Sequence, residues 1–205
     1  MEDLYKFEKD LIKKGIKLIG GIDEVGRGPL VGPVVACLCI LPLNYKLEGL
    51  TDSKKLTEKK REKFYDILIR DAISYGIGII DHNIIDKVNI YEATKLAMVE
   101  AIKNSKIKPE HILIDAMKLD TSIPETSIIK GDAKSLSIAA ASVIAKVTRD
   151  RMLIELDKKH PMYDFKHNKG YPTKKHIEAI NNYGIIDEHR KTYSPVKEYL
   201  ERVNI

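Results

Sequence analysis

The 205-residue chain has no tryptophan, only three phenylalanines and two cysteines, and its longest apolar run, Val34 to Leu41, is eight residues. Each shortage excludes something. Such a run falls well short of the roughly 20 residues needed to cross a bilayer, so no membrane span is expected. Cys37 and Cys39 lie two apart within it. A strand turns both to one face, and no other cysteine is present to build a disulfide framework or a zinc site. They read as buried free thiols in a reducing compartment. The six histidines show no metal-ligand spacing, and no serine or cysteine sits in a nucleophile motif. The opening Met1-Glu2-Asp3 is acidic with no apolar stretch behind it, so a cytoplasmic location is expected rather than secretion by a leader. There is no internal repeat, low-complexity tract or Gly/Ser-rich linker, and one continuous domain over residues 1–205 is the simplest organisation.

What is present is ample apolar material and an uneven charge. Apolar residues make up 43%, enough for a sizeable core, and the 32% charged residues mix both signs, which excludes a chain dominated by disorder. The net charge is +5. Residues 158–175 hold six lysines against one acid, Asp164, and so carry the whole excess. Tyr163, Phe165 and Tyr171 are interleaved there. That combination suits a polyanion whose sugars or bases can stack, although a solvated lysine-rich loop is the commoner outcome unless a phosphate-cutting site lies elsewhere.

Periodicity and breakers predict a short amphipathic helix over 2–14, a strand from Lys17 to Asp23, a glycine-rich turn, and a second strand over 34–41 able to pair with the first. Thr57 is suited to cap a helix reaching about Arg70. A strand over 73–80, a helix over 91–103, and strands at 111–114 and 126–129 follow. A long helix rich in small residues runs from about Ala133 to Lys159, and further helices are expected at 173–182 and 195–202. The fold class is therefore α/β, a mixed five-stranded sheet flanked by helices with a helical C-terminal extension from about residue 173.

Acids close the apolar strands. Asp23 and Glu24 follow Leu18-Ile19-Gly20-Gly21-Ile22, Asp115 follows Ile112-Leu113-Ile114, and Asp132 lies between the fifth strand and the long helix. Acids at strand ends in α/β proteins gather where ligands bind. Each has a plainer alternative: Asp132 as the cap of the long helix, Asp115 as a turn residue. Several carboxylates converging require a cation, and oxygen ligands select Mg2+ or Mn2+. Neighbours on a regular strand face opposite sides, so for Asp23 and Glu24 to share one ion the strand must end, bulge or twist there. Asp150, about 25 Å along the long helix from Asp132, cannot join them. Its neighbours Arg149 and Arg151 suggest a structural ion pair.

The blocks Gly21-Ile22-Asp23-Glu24-Val25-Gly26-Arg27-Gly28-Pro29-Leu30-Val31-Gly32-Pro33, Asp52-Ser53-Lys54-Lys55-Leu56, Ile114-Asp115-Ala116, Lys130-Gly131-Asp132, the run from Ala140 to Arg151, and Lys169-Gly170-Tyr171-Pro172-Thr173 resemble ribonuclease HII, the type 2 ribonuclease H family, in family order across about residues 17–195. The resemblance implies a ribonuclease H-like fold and cleavage of the RNA strand of RNA/DNA hybrids. It also implies incision 5′ to single ribonucleotides in duplex DNA, leaving 5′-phosphate and 3′-hydroxyl ends. It assigns catalysis and metal binding to Asp23, Glu24, Asp115 and Asp132, with two Mn2+ or Mg2+ ions and Asp23 bridging them. Substrate contacts fall on Gly26, Arg27 and Gly28, which read the 2′-hydroxyl, on Tyr171, which stacks on the adjoining deoxyribose, and on Lys54 and Lys55 at backbone phosphates. The implied partners are RNA/DNA hybrid and ribonucleotide-containing duplex DNA, with a monomeric enzyme and no membrane. Ribonuclease HIII, which usually adds an N-terminal domain and lacks the arginine matched by Arg27, is the nearer alternative. A non-catalytic hybrid-binding module, which would have lost one of the acids, is the other.

Overall fold

The computed structural model describes residues 4–203. Five strands form one sheet in the order β3-β2-β1-β4-β5. They are β1 (Ile19–Val25), β2 (Val34–Ile40), β3 (Ser74–Ile80), β4 (His111–Asp115) and β5 (Glu125–Ile128). The first three pair antiparallel, and β4 and β5 join in parallel, so the mixed sheet is as expected. The helices are α1 (Lys6–Lys13), α2 (Glu58–Asp71), α3 (His82–Val88), α4 (Ile90–Asn104), α5 (Leu136–Lys159), α6 (Phe165–Asn168), α7 (Lys174–Tyr183) and α8 (Val196–Val203). Residues 2 and 3 of the expected first helix lie outside the described residues. No helix among them is long and apolar enough to cross a membrane.

Alternation along β2 divides the core. Val35, Cys37 and Cys39 face a layer containing α2 and α5, whereas Val34, Ala36 and Leu38 face α4. Both cysteines are free, buried and on one face, as read. Glycines allow helix and sheet backbones to meet directly. A Cβ on Gly21 would stand 2.1 Å from the Ser137 carbonyl carbon of α5, and one on Gly78 would stand 1.9 Å from the Ala97 oxygen of α4. Only glycine fits such approaches.

The structure also corrects the sequence reading. Helix α3 was not expected; Asp81 caps it by accepting from the Ile84 N–H at 3.0 Å. Asn89, at φ +72°, ends α3 and caps α4 in turn. The long helix begins at Leu136, capped by Ser135, so Asp132 is not its cap. β5 starts one residue earlier than read, at Glu125.

Candidate active site

The C-terminal ends of β1 and β4 lie together. Ile22 pairs with Ile114 in the parallel ladder, so Asp23 and Asp115 follow side by side. Gly21 packs on Ser137 of α5, and Leu113 clusters with Ile138 of the same helix. Two residues further along each strand, Asp23 and Asp115 face α5 as well. The strand neither ends nor bulges at the acids: β1 pairs regularly with β2 through Val25. Glu24 therefore points to the opposite face, where β4 has already ended, and its carboxylate lies 3.5 Å from the Arg27 guanidinium.

Asp132 comes from a 3-10 turn, Gly131–Ala133, just before α5. The Gly131 N–H donates to Asp115 Oδ1 at 2.7 Å, tying the turn to the strand end. Lys130 and Ala116, which flank this contact, both adopt left-handed backbone (φ +58° and +49°), so the chain bends sharply on either side of the two acids. A further piece comes from Asp52–Leu56. Asp52 Oδ1 accepts from the Lys54 N–H at 2.9 Å and shapes a 3-10 turn. Ser53 Oγ lies 2.8 Å from Ser142 Oγ on α5, and the Ser142 hydroxyl also bonds to Asp23. Asp52, Ser53 and Ser142 belong to this site but were not singled out from sequence. The Asp-Ser-Lys-Lys block carried the signal for the first two.

Crowding shows in the acid strengths. Burial pushes Asp23 well above the usual carboxylate range, and Glu24 and Asp115 push it further; Ser142 and the Glu24 N–H, 2.8 Å from Asp23 Oδ1, oppose this. Burial also raises Glu24, with Arg27 opposing and Asp115 adding. Burial, then Asp52 and Asp115, raise Asp132. Desolvation works against the Lys54 charge, yet Asp23, Asp132, Asp52 and Glu24 together hold its ammonium above the ordinary lysine value. Lys54 is thus the cation that this set of acids surrounds. Asp115, Asp132, Asp52, Lys54 and Lys55 line an open depression of about 500 Å3. A larger groove of about 670 Å3, between α1 and residues 44–50, holds none of the four acids. Asp150 takes no part, and its partners are Lys146 (2.6 Å) and Arg61 (3.8 Å), not the flanking arginines.

The glycine-rich turn adjoins the acids through the Arg27–Glu24 pair. Gly26 has φ +97°, and a Cβ there would meet Arg149 Nε at 2.3 Å. Gly28 is exposed beneath Tyr171, whose ring would lie 3.3 Å from an added Cβ, and Tyr171 itself is 46% exposed. Of the three aromatics among the lysines, only Tyr171 is available for stacking. Tyr163 and Phe165 are buried and stacked on one another, centroids 5.2 Å apart, so that part of the reading is corrected. The basic stretch is also partly neutralised: Lys158 pairs with Glu155 at 2.6 Å and Lys175 with Asp164 at 2.9 Å. Lys159 and Lys166 are exposed.

Among the described residues, no three His, Cys, Asp or Glu side chains are already closed into a metal-binding group. The donor set nevertheless suits a hard divalent cation. It is all carboxylate, and its members hold one another's protons on, a repulsion that a cation relieves.

The family model described as ribonuclease HII matches residues 20–195. Ribonuclease HII of Bacillus cytotoxicus is 58% identical over 199 residues, covering 97% of this chain and 77% of that relative. Among solved structures, ribonuclease H2 from Pyrococcus horikoshii superposes with a TM-score of 0.76 at 30% identity, covering 91% of this chain and 98% of that one. Bst-RNase HIII in complex with Mn2+ shares the fold at 17% identity, with a TM-score of 0.65 over 91% of this chain and 70% of its own.

Proposed function

Because the chain belongs to the ribonuclease HII family and is a divalent-metal-dependent ribonuclease H, we propose that it cuts the RNA strand of RNA/DNA hybrids and incises 5′ to single ribonucleotides in duplex DNA through Asp23, Glu24, Asp115 and Asp132. The observation that carries this is the convergence of those acids and Lys54 at one end of the sheet, beside a Gly-Arg-Gly turn whose Arg27 and Gly28 are exposed and whose Gly28 lies against Tyr171.

Asp23, Asp115 and Asp132 on the α5 side, with Glu24 reaching round the end of β4, would hold Mn2+ or Mg2+. When bound, such ions supply the charge that activates the attacking water and stabilises the departing 3′ oxygen. Asp23 is the most buried of the four acids and the natural shared ligand. Lys54 and Lys55, on the rim, meet the negative phosphates of the incoming strand. The Gly26–Gly28 turn, exposed at Arg27 and Gly28, offers main-chain groups to the 2′-hydroxyl, the one group that distinguishes RNA from DNA at each sugar. Tyr171, lying over Gly28, presents its face to the adjoining deoxyribose. Lys159 and Lys166 extend the basic surface along the duplex, and binding through them weakens with salt.

The test uses a labelled DNA duplex with one internal ribonucleotide and an all-DNA control, with Mn2+ or Mg2+ and then with chelator. Metal-dependent incision 5′ to the ribonucleotide, with the control untouched, is the expected result. Cleavage of a long hybrid without incision at the single ribonucleotide would overturn the single-ribonucleotide activity in favour of a ribonuclease HIII-like one, and cutting of the all-DNA control would overturn the 2′-hydroxyl reading.

A further inference from the structure

Arg149 and Arg190 are both fully buried, and neither forms an ion pair among the described residues. A buried charge without a counter-ion needs hydrogen bonds in place of water. Here main-chain carbonyls supply them. Arg190 donates from Nη2 to the Gly26 and Gly32 oxygens (2.6 and 2.9 Å), from Nε to Gly32 (3.1 Å) and from Nη1 to Arg27 (2.9 Å). Arg149 donates to the oxygens of Pro33 (2.9 Å), Val31 (3.0 Å) and Lys169 (3.0 Å). The Tyr193 hydroxyl also donates to the Arg27 oxygen at 2.9 Å.

A trans peptide unit is planar, with its C=O and N–H pointing in opposite directions. Drawing the Gly26 and Arg27 carbonyls inward therefore turns the Arg27 and Gly28 N–H groups outward. Both residues are exposed, and no hydrogen bond among the described residues uses either amide. The same framework grips the segment that leads into Tyr171. Arg149 holds the Lys169 oxygen, the Leu30 N–H donates to the Gly170 oxygen at 2.8 Å, and the Arg190 N–H donates to the Leu30 oxygen at 2.8 Å.

We propose that Arg190, seconded by Arg149, is the specificity-positioning residue of this enzyme: its guanidinium fixes two outward amides as donors for a sugar hydroxyl and holds them in register with Tyr171. This rests on the assignment of 2′-hydroxyl recognition to Gly26–Gly28. Without the guanidinium the two peptide planes lose their inward partners and are free to rotate, presenting oxygen where the sugar requires a donor.

Arg190→Lys keeps the charge and loses the fork. Incision kcat/KM on the single-ribonucleotide duplex is expected to fall about 30-fold, the scale of one lost charge-assisted hydrogen bond. An all-DNA duplex, used as a competitive inhibitor, should keep its Ki within about twofold, because its phosphate contacts lie elsewhere. Tyr193→Phe, which deletes a single hydroxyl, should show the same pattern with a loss of about fivefold. If Arg190→Lys does not fold, Tyr193→Phe decides alone. A parallel loss of kcat/KM and all-DNA binding, or an unchanged kcat/KM in folded protein, overturns the proposal. A wild-type enzyme with no preference for the ribonucleotide duplex would instead remove the recognition on which it rests.

Discussion

Acidification should loosen this protein at one identifiable place. His176 Nδ1 lies 2.9 Å from the Tyr171 carbonyl oxygen, which can only accept, so Nδ1 carries the hydrogen and Nε2 is bare. His189 Nδ1 accepts from the Ile186 N–H at 3.0 Å, so its Nε2 carries the hydrogen and donates to His176 Nε2 at 3.1 Å. With both rings neutral each of these bonds has one hydrogen and one acceptor, whereas a proton on His189 Nδ1 would take the acceptor from the Ile186 N–H and leave the longer contact to the Ile186 oxygen at 3.3 Å. Tyr163 and Phe165 pack around the pair, and no carboxylate figures among the influences on either ring. Burial, then His176, with His160 and His82 further off, brings His189 down to about 3; burial lowers His176 as well. The folded state thus refuses a proton that the unfolded chain takes up near pH 6.5. Stability is complete above that pH and is lost progressively as pH falls toward 3. At pH 5 the His189 share is about 2 kcal/mol, from roughly 1.5 pH steps at 1.36 kcal/mol each. Urea unfolding of wild type and His189→Gln at pH 7.5 and pH 5 isolates it, because the raised carboxylates act in the opposite sense and cancel in the comparison. Wild type should lose about 2 kcal/mol more than the variant over that interval. Equal losses would refute the neutral pair.

Three further outcomes are expected. Asp23→Asn should reduce incision by at least about a thousandfold while stability holds or rises by about 1 kcal/mol, since a buried like-charge contact is removed; a destabilised variant in thermal unfolding would contradict the crowding described here. Gly21→Ala forces a methyl into the α5 main chain and should cost about 3 kcal/mol or more, read as a fall in the urea midpoint. Tyr171→Ala leaves the core intact and should lower incision at the RNA–DNA junction more than cleavage of a long hybrid; equal losses in parallel assays would contradict the role proposed for it at the deoxyribose.

The strands were legible because β-branched runs ended in acids or turns, and the same punctuation pointed to Asp23, Asp115 and Asp132. The small-residue run of α5 correctly foretold close packing on the sheet. What escaped was set by distant chain. Seven-residue α3 has too few turns to show a period. Asp52 and Ser142 reach the site only because α5 and the 52–56 turn meet. Composition placed Tyr163, Phe165 and Tyr171 together among lysines, but α7 and His189, which lie later in the chain, decide that two of them face inward. Arg149 suggested an ion pair with Asp150 and Arg190 carried no signal, since a sequence does not show which carbonyls will crowd a guanidinium.

The contact of Gly21 with α5 has a consequence for how the enzyme tolerates change. Where side chains separate two elements, their spacing drifts with every substitution between them. Here main chain bears on main chain, and those atoms are common to every amino acid, so the distance from β1 to α5 behaves as a fixed gauge. Asp23 and the turn carrying Asp132 are mounted on the two sides of that gauge. Substitutions in the apolar layer against α4 can shift the free energy of folding while the end of the sheet that carries the acids keeps its dimensions.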